Sequence, residues 1–358
     1  MNGYFTVRAK ALFLTVGFFL VGIGLMLFAG QLQQGVREGL SLCAQVVIPA
    51  LFVYLCLCYW LTETQGLSCI TRLLRPLFRV LLGNSWQGGA ALLMAVMGGY
   101  PMGAAVLKRL YDSSALSARQ VRRLSLGLFC PSPAFAVSAV GVGLLSSPLA
   151  GLLLWIAATV PVLIITVVLG RLGGEALSAK EEAFPHQGGF SSAMAGACRS
   201  MLHICGVVVL CRAIASVLQG LPFPSIVIQG LSALLEVTNG CVILSPYGLP
   251  WLAAVLGFGG IGTHLQIKGL LGGLMPSYPV YFGVRLLQGA AAYGMTFLLA
   301  KWCSPVLPTL WLTTPPAVGS HSVLPSVAVV LTCFVFLGWL EYANPKRKGN
   351  NEKPRIYQ

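Results

Sequence analysis

Gly98-Gly99-Tyr100-Pro101-Met102-Gly103 interrupts the middle of an apolar run, Gly88–Tyr111. Glycine removes helical stiffness, and proline removes a backbone donor and clashes with the preceding turn. The run therefore predicts two half-helices meeting at a break, either as a re-entrant hairpin or as an interrupted span. The same design recurs along the chain. Ser117–Leu145 is broken at Cys130-Pro131-Ser132-Pro133, Ile226–Gly240 ends in Glu236-Val237-Thr238-Asn239-Gly240, and Leu249–Leu271 is broken at Gly257-Phe258-Gly259-Gly260-Ile261-Gly262.

That these breaks lie in a bilayer follows from composition. Hydrophobic residues make up 56% of the chain, charged residues 9%, and the mean hydropathy is +0.82. A soluble domain carries about 25% charged residues to face water. Irregular backbone at membrane depth survives only when buried in protein or lining a wet cavity. The net charge of +14 does not mark a nucleic-acid partner. Its Arg and Lys fall in short clusters beside apolar spans: Arg72/Arg75/Arg79, Lys108/Arg109, Arg119/Arg122/Arg123 and Lys346/Arg347/Lys348. That is the pattern of cytoplasmic loops under the positive-inside rule. The 11 Cys lie mostly in apolar runs without zinc-like spacing, so neither metal nor cofactor is expected. No GxSxG, HExxH or Walker motif argues for an enzyme.

Outward from the breaks, the reading gives an all-α polytopic membrane protein. Ala11–Ala29 is a retained first span, Gln31–Glu38 a polar turn, and Leu40–Leu61 a second span. Leu67–Leu82, with Arg72, Arg75 and Arg79 at helical spacing, is an interfacial helix on the cytoplasmic leaflet. Pro148–Gly170, Ser191–Leu218, Tyr278–Trp302 and Val323–Leu340 are plain spans, and Arg171–Gly189 is a polar boundary loop. Each half then carries a plain span, two broken segments and another plain span. Ala91-Leu92-Leu93 echoes Ala233-Leu234-Leu235, and Leu126-Gly127-Leu128-Phe129 echoes Val255-Leu256-Gly257-Phe258. With one hairpin and one crossing broken helix per half, the halves are inverted. Inverted repeats with broken helices in matching positions mark secondary transporters with a site near the midplane.

The chemistry is expected at the breaks. A half-helix N-terminus carries about +0.5 charge and suits an anion without a basic side chain. The starts after Pro101, Pro133 and Gly260 are candidate cradles, with Ser132 at the second break. Gly98, Gly99, Gly259 and Gly260 would let backbone approach a solute closely. Glu236 is an intramembrane carboxylate beside Thr238 and Asn239, a costly placement read as solute binding or proton coupling. Thr263, His264 and Gln266 supply donors and acceptors after the Gly259-Gly260 break. Arg199, on one face with His203, and Arg285 are candidates to bind a carboxylate or pair with Glu236.

Three stretches in order resemble a known family. Gly98-Gly99-Tyr100-Pro101-Met102-Gly103-Ala104, Leu235-Glu236-Val237-Thr238-Asn239-Gly240-Cys241 and Phe258-Gly259-Gly260-Ile261-Gly262-Thr263-His264-Leu265-Gln266 look like the YlbJ-type sporulation integral membrane proteins. The resemblance spans roughly Leu40–Ala300 and implies two nucleoside-recognition Gate domains, distantly related to concentrative nucleoside carriers. It divides the chain into an N-terminal span and turn (1–39), a first Gate-type repeat (40–171), a polar loop (172–189) and a second repeat (190–302). A C-terminal loop and span (303–341) and a basic cytoplasmic tail (342–358) follow. By motif, Tyr100, Pro101, Gly103, Glu236, Gly259, Gly260, His264 and Gln266 carry over. The family implies transport of dipicolinic acid across the outer forespore membrane of the mother cell. The expected partners are thus a small-molecule anion and the lipid bilayer, with a homo-oligomer left open. Tyr100 and Phe258 are expected to stack on the aromatic ring of that solute.

Overall fold

A computed structural model describes residues 15–303, other than 18, 20, 21, 25, 65, 173–188, 222 and 223. Part of Ala11–Ala29, most of the polar loop, the Val323–Leu340 span and the basic tail lie outside the described residues. Within them the chain is all-α, and four helical stretches are long and apolar enough to cross a membrane: Ala29–Glu63, Arg75–Gly98 (kinked in the turn Gly83–Gly88), Pro148–Arg171 and Phe190–Gln219.

The first of these corrects the expected turn. Helix α1 (Ala29–Leu42) runs through Gln31–Glu38 and continues by a π-helical turn, Cys43–Val47, into α2 (Ile48–Glu63). Gln, Leu, Arg and Glu are good helix formers, so polarity there marks a helix extending beyond the bilayer. At 35 residues the rod is about 50 Å long, against roughly 40–45 Å for a whole bilayer. It packs antiparallel on α9 (Phe190–Gln219). Gly35 and Gly39 make that approach feasible, since a Cβ there would stand 2.7 Å from Ala213 Cα and 2.8 Å from Val209 Cα. Glu38 is paired with Arg212 of α9 at 2.9 Å, and at the other end Tyr59 meets Ser200 at 2.5 Å.

The expected interfacial segment forms two short amphipathic helices, α3 (Gly66–Leu73) and α4 (Arg75–Leu82). Arg75 and Arg79 lie over the Trp86 ring. Then come the broken elements. Helices α5 (Gly89–Gly98) and α6 (Tyr100–Asp112) fold back on each other at Gly99. Helix α7 (Ala118–Gly127), started by a Ser117–Gln120 capping box, gives way at Leu128–Pro133 to a π-helical stretch, Ala134–Val142. The plain α8 (Pro148–Arg171) follows. After α9, α10 (Ser225–Leu235) and α11 (Val237–Leu244) fold back at Glu236. Helices α12 (Leu249–Phe258) and α13 (Gly260–Leu271) divide at Gly259, and α14 (Tyr278–Cys303) closes the described chain.

In both hairpins the fourth residue past the break is a glycine wedged against the incoming arm. A Cβ at Gly103 would lie 2.6 Å from Ala95 Cβ, and one at Gly240 2.7 Å from the Ala233 carbonyl. This glycine sets the register between the hairpins, and the Ala91-Leu92-Leu93 echo does not keep it. Ala91 precedes Gly99 by two helical turns, whereas Ala233 precedes Glu236 by less than one. The hairpins also enter from opposite ends of the α1–α2/α9 pair. Arg109 in the last turn of α6 bonds Glu63, where α2 ends, at 2.6 Å, whereas α10 begins just past Gln219, where α9 ends beside α1. The Glu63 end carries the arginines of α3, α4, α6 and α7, the charge pattern expected of a cytoplasmic face.

Candidate functional site

Three of the four breaks meet at one cavity of about 60 Å³, and the helix that follows the fourth lines it too. The first hairpin lines it with Gly98, Gly99, Tyr100 and Pro101, and the second break with Ser132 and Phe135. The second hairpin adds Glu236, Val237 and Thr238, and α13 adds Thr263 and Gln266. Leu51, Tyr54 and Leu55 of α2 and Ile204 of α9 close the wall.

Two docks hold the breaks together, one in each half. Gly99 has φ +80°, and a Cβ on it would stand 3.1 Å from the Ser132 nitrogen. Gly260 has φ +77°, and its Cβ would stand 2.8 Å from the Val237 nitrogen and 2.9 Å from Glu236 Cα. Each hairpin tip therefore rests on the break of the crossing helix that follows it. The backbone approaching Gly260 is the second hairpin's own, so the place expected there for a solute is filled by Glu236 and Val237.

The new N-termini are finished in two ways. Glu236 is extended (φ −152°, ψ 138°), and its carboxylate caps α11, accepting from the Asn239 N–H at 2.9 Å and the Thr238 hydroxyl at 3.0 Å. Ser132 Oγ accepts from the Phe135 N–H at 3.1 Å and so caps the π-helical stretch. Helices α6 and α13 begin instead on Gly99 and Gly259, with no side chain on their first-turn donors. Two half-helix ends with their positive dipole thus remain uncapped, one from each half.

Arg285 works at the opposite, negative ends. Its Nε donates to the Phe258 carbonyl at 2.9 Å, and its Nη1 donates to the Phe129 carbonyl and, at 2.6 Å, to Gln288 Oε1. Gln288 in turn donates to the Gly127 carbonyl at 3.1 Å. These carbonyls end the first halves of the two crossing helices, where helical partners run out. The pairing of Glu236 with Arg285 or Arg199 is not formed: Arg285 turns its Nε and Nη1 to carbonyls and Gln288, and Arg199 is exposed on α9.

Of the residues singled out from sequence, Gly98, Gly99, Tyr100, Pro101, Ser132, Glu236, Thr238, Thr263 and Gln266 line the cavity. Gly103, Asn239, Gly259, Gly260 and His264 do not. Asn239 is buried, with its side-chain amide on the Val208 carbonyl at 3.4 Å. His264 turns away because one residue along a helix rotates by about 100° from Thr263. Its Nε2 sits 3.0 Å from the Phe258 carbonyl, and its ring packs edge-on against Phe258, Tyr281 and Phe282. Phe258 belongs to that aromatic cluster and is not free to stack on a solute. Tyr100 does reach the cavity, with its hydroxyl donating to the Leu256 carbonyl. Leu51, Tyr54, Leu55 and Ile204 are lining residues that sequence reasoning missed. They sit in uninterrupted apolar helices with no local mark to separate them from lipid-facing neighbours.

An all-helical, multi-pass membrane protein whose broken helices converge on an internal cavity is the class these features define. The chain is similar to the sporulation integral membrane protein YlbJ of Bacillus subtilis (strain 168), at 24% identity over 313 residues. The match covers 74% of this chain and 76% of the relative. No family model matches it, and no solved structure does.

Proposed function

We propose that this protein is a carrier for a small anionic solute, acting in endospore formation, with dipicolinic acid as its substrate. The observation that carries the reading is the pair of uncapped half-helix N-termini, α6 at Gly99 and α13 at Gly259, beside a cavity built from breaks in both halves. Backbone donors at a helix N-terminus bind carboxylates without a basic side chain. The protein already does this once internally, since the carboxylate on α11 is its own Glu236. Two uncapped ends match the two carboxylates of a planar aromatic dicarboxylate. The opposed hairpins fit inverted Gate-type repeats over 40–171 and 190–302, and alternating access would proceed by moving one against the other. The similarity to a sporulation integral membrane protein supports a membrane role in sporulation, and the outer forespore membrane is the place this reading gives it.

One observation favours a second reading, a nucleoside or other metabolite permease. The lining holds the carboxylate of Glu236, the amide of Gln266 and the hydroxyls of Thr238 and Thr263, with no Lys or Arg. Such a wall also suits the hydroxyls of a neutral ribose. A spore-assembly scaffold without transport is the remaining alternative. Purified protein in liposomes, offered dipicolinate and a nucleoside in parallel, separates the three. Dipicolinate uptake is expected, reduced by Glu236→Gln. Uptake of the nucleoside alone would establish the permease, and uptake of neither would favour the scaffold.

A further inference from the structure

We propose that the fourth break holds a buried anion subsite behind Tyr100, in which Arg285 Nη2 receives one carboxylate of the solute. Arg285 is 1% exposed and Tyr281, one turn earlier on the same face of α14, is 0% exposed. Arg285 Nη2 and the Tyr281 hydroxyl both lack a hydrogen-bond partner among the described residues. The other guanidinium bonds go to the neutral groups Phe129, Phe258 and Gln288, and no carboxylate among the described residues pairs with it. An intramembrane cation is costly, and one with a donor unused and no counter-charge calls for an anion.

The surroundings are arranged for that anion. Arg285 Cζ lies 5.4 Å from the centroid of the Tyr100 ring, and Tyr100 lines the cavity. Gly259 lets the guanidinium and the ring both reach the start of α13: a Cβ there would stand 2.9 Å from Nη2 and 3.2 Å from Tyr100 Cε1. The same Gly259 begins α13 without a side-chain cap, so a positive helix end and an unused guanidinium donor adjoin one point. The Tyr100 ring is the partition between subsite and cavity. A dicarboxylate lying along it sets one carboxylate at the α6 start and passes the other beyond the ring to Nη2. Arg285 therefore selects for the second carboxylate.

This inference rests on the carrier reading, and its test separates the two. Binding of pyridine-2,6-dicarboxylate and pyridine-2-carboxylate to the full chain is measured by titration calorimetry. The wild type should prefer the dicarboxylate by roughly tenfold or more, the worth of a charge-assisted hydrogen bond. Arg285→Gln should collapse that preference, bringing the ratio of the two affinities to within about threefold of one. Tyr281→Phe, which removes one hydroxyl and keeps the packing, should lower the preference by about threefold and decides the matter if Arg285→Gln does not fold. A preference unchanged in both variants would overturn the subsite and leave the carrier standing. Failure of the wild type to bind either acid would overturn both.

Discussion

At the first hairpin the residue in the break is Gly99, docked on Ser132; at the second it is Glu236, docked on Gly260. Both pairs join a hairpin tip to the crossing helix that follows it, and both put a positive-φ glycine on one side of the contact. The glycine has changed sides between the halves. Where it sits on the hairpin, the tip helix starts uncapped; where it sits on the crossing helix, the tip carries a carboxylate that caps its own helix. Each half thus keeps one capped and one uncapped N-terminus, and the uncapped ends come from unlike elements. Near-symmetric architecture has been turned into an asymmetric cavity by exchanging which partner lacks a side chain.

Substitutions at these four residues test that comparison. Gly260→Ala should do most damage. It forces an L-residue to φ +77° and drives a methyl into backbone at 2.8–3.0 Å, which cannot give way as a side chain would. A cost of about 3 kcal/mol or more is expected, from left-handed strain of 1–2 kcal/mol plus overpacking. Thermal unfolding of the purified protein in detergent measures it, and a melting temperature near wild type would remove the second dock. Gly99→Ala carries the same φ strain, but the nearest Ser132 atoms stand at 3.1–3.2 Å and need shift only slightly. Its cost should be nearer 1–2 kcal/mol. The reverse order in the same melts would mean that the first dock is the tighter.

Caps come next. Glu236→Ala strips the acceptor from the Asn239 N–H and should cost about 1–2 kcal/mol, whereas Glu236→Gln keeps an oxygen there and should cost less. Chemical denaturation comparing the two would expose any larger structural role, because equal losses would mean that charge and not the cap matters. Ser132→Ala removes the bond from the Phe135 N–H and should be the mildest, at about 0.5–1 kcal/mol. Hydrogen exchange at Phe135 should rise in that variant alone; protection unchanged would show that another group caps the stretch.

Much of this was legible before any coordinates. The breaks at Gly98-Gly99, Cys130–Pro133, Glu236 and Gly259-Gly260 all fall where sequence predicts, because proline and glycine act on the backbone they occupy. The Gln31–Glu38 turn was misread because polar residues were taken as a loop, although they are good helix formers and Gly35 and Gly39 fasten the helix to α9. The order of parts in the two halves was read from the sequence. Their register was not, since the informative match is a glycine four residues past each hairpin break rather than the apolar triplet before it. His264 and Thr263 look equivalent in sequence, yet Thr263 faces the cavity and His264 the aromatic cluster.

What the sequence by itself determined is local. It set the bilayer environment through the scarcity of charge, the position of each break through missing side chains or amide hydrogens, and the candidacy of Glu236 through its cost in an apolar run. What only the tertiary structure decided is which groups meet. It put Gly260 beneath Glu236, turned Arg285 onto two helix ends instead of a carboxylate, and brought Leu51, Tyr54 and Ile204 to the cavity wall. Those outcomes depend on how separately formed helices cross, and helix crossing is set by side-chain packing across distant segments that no single stretch of sequence contains.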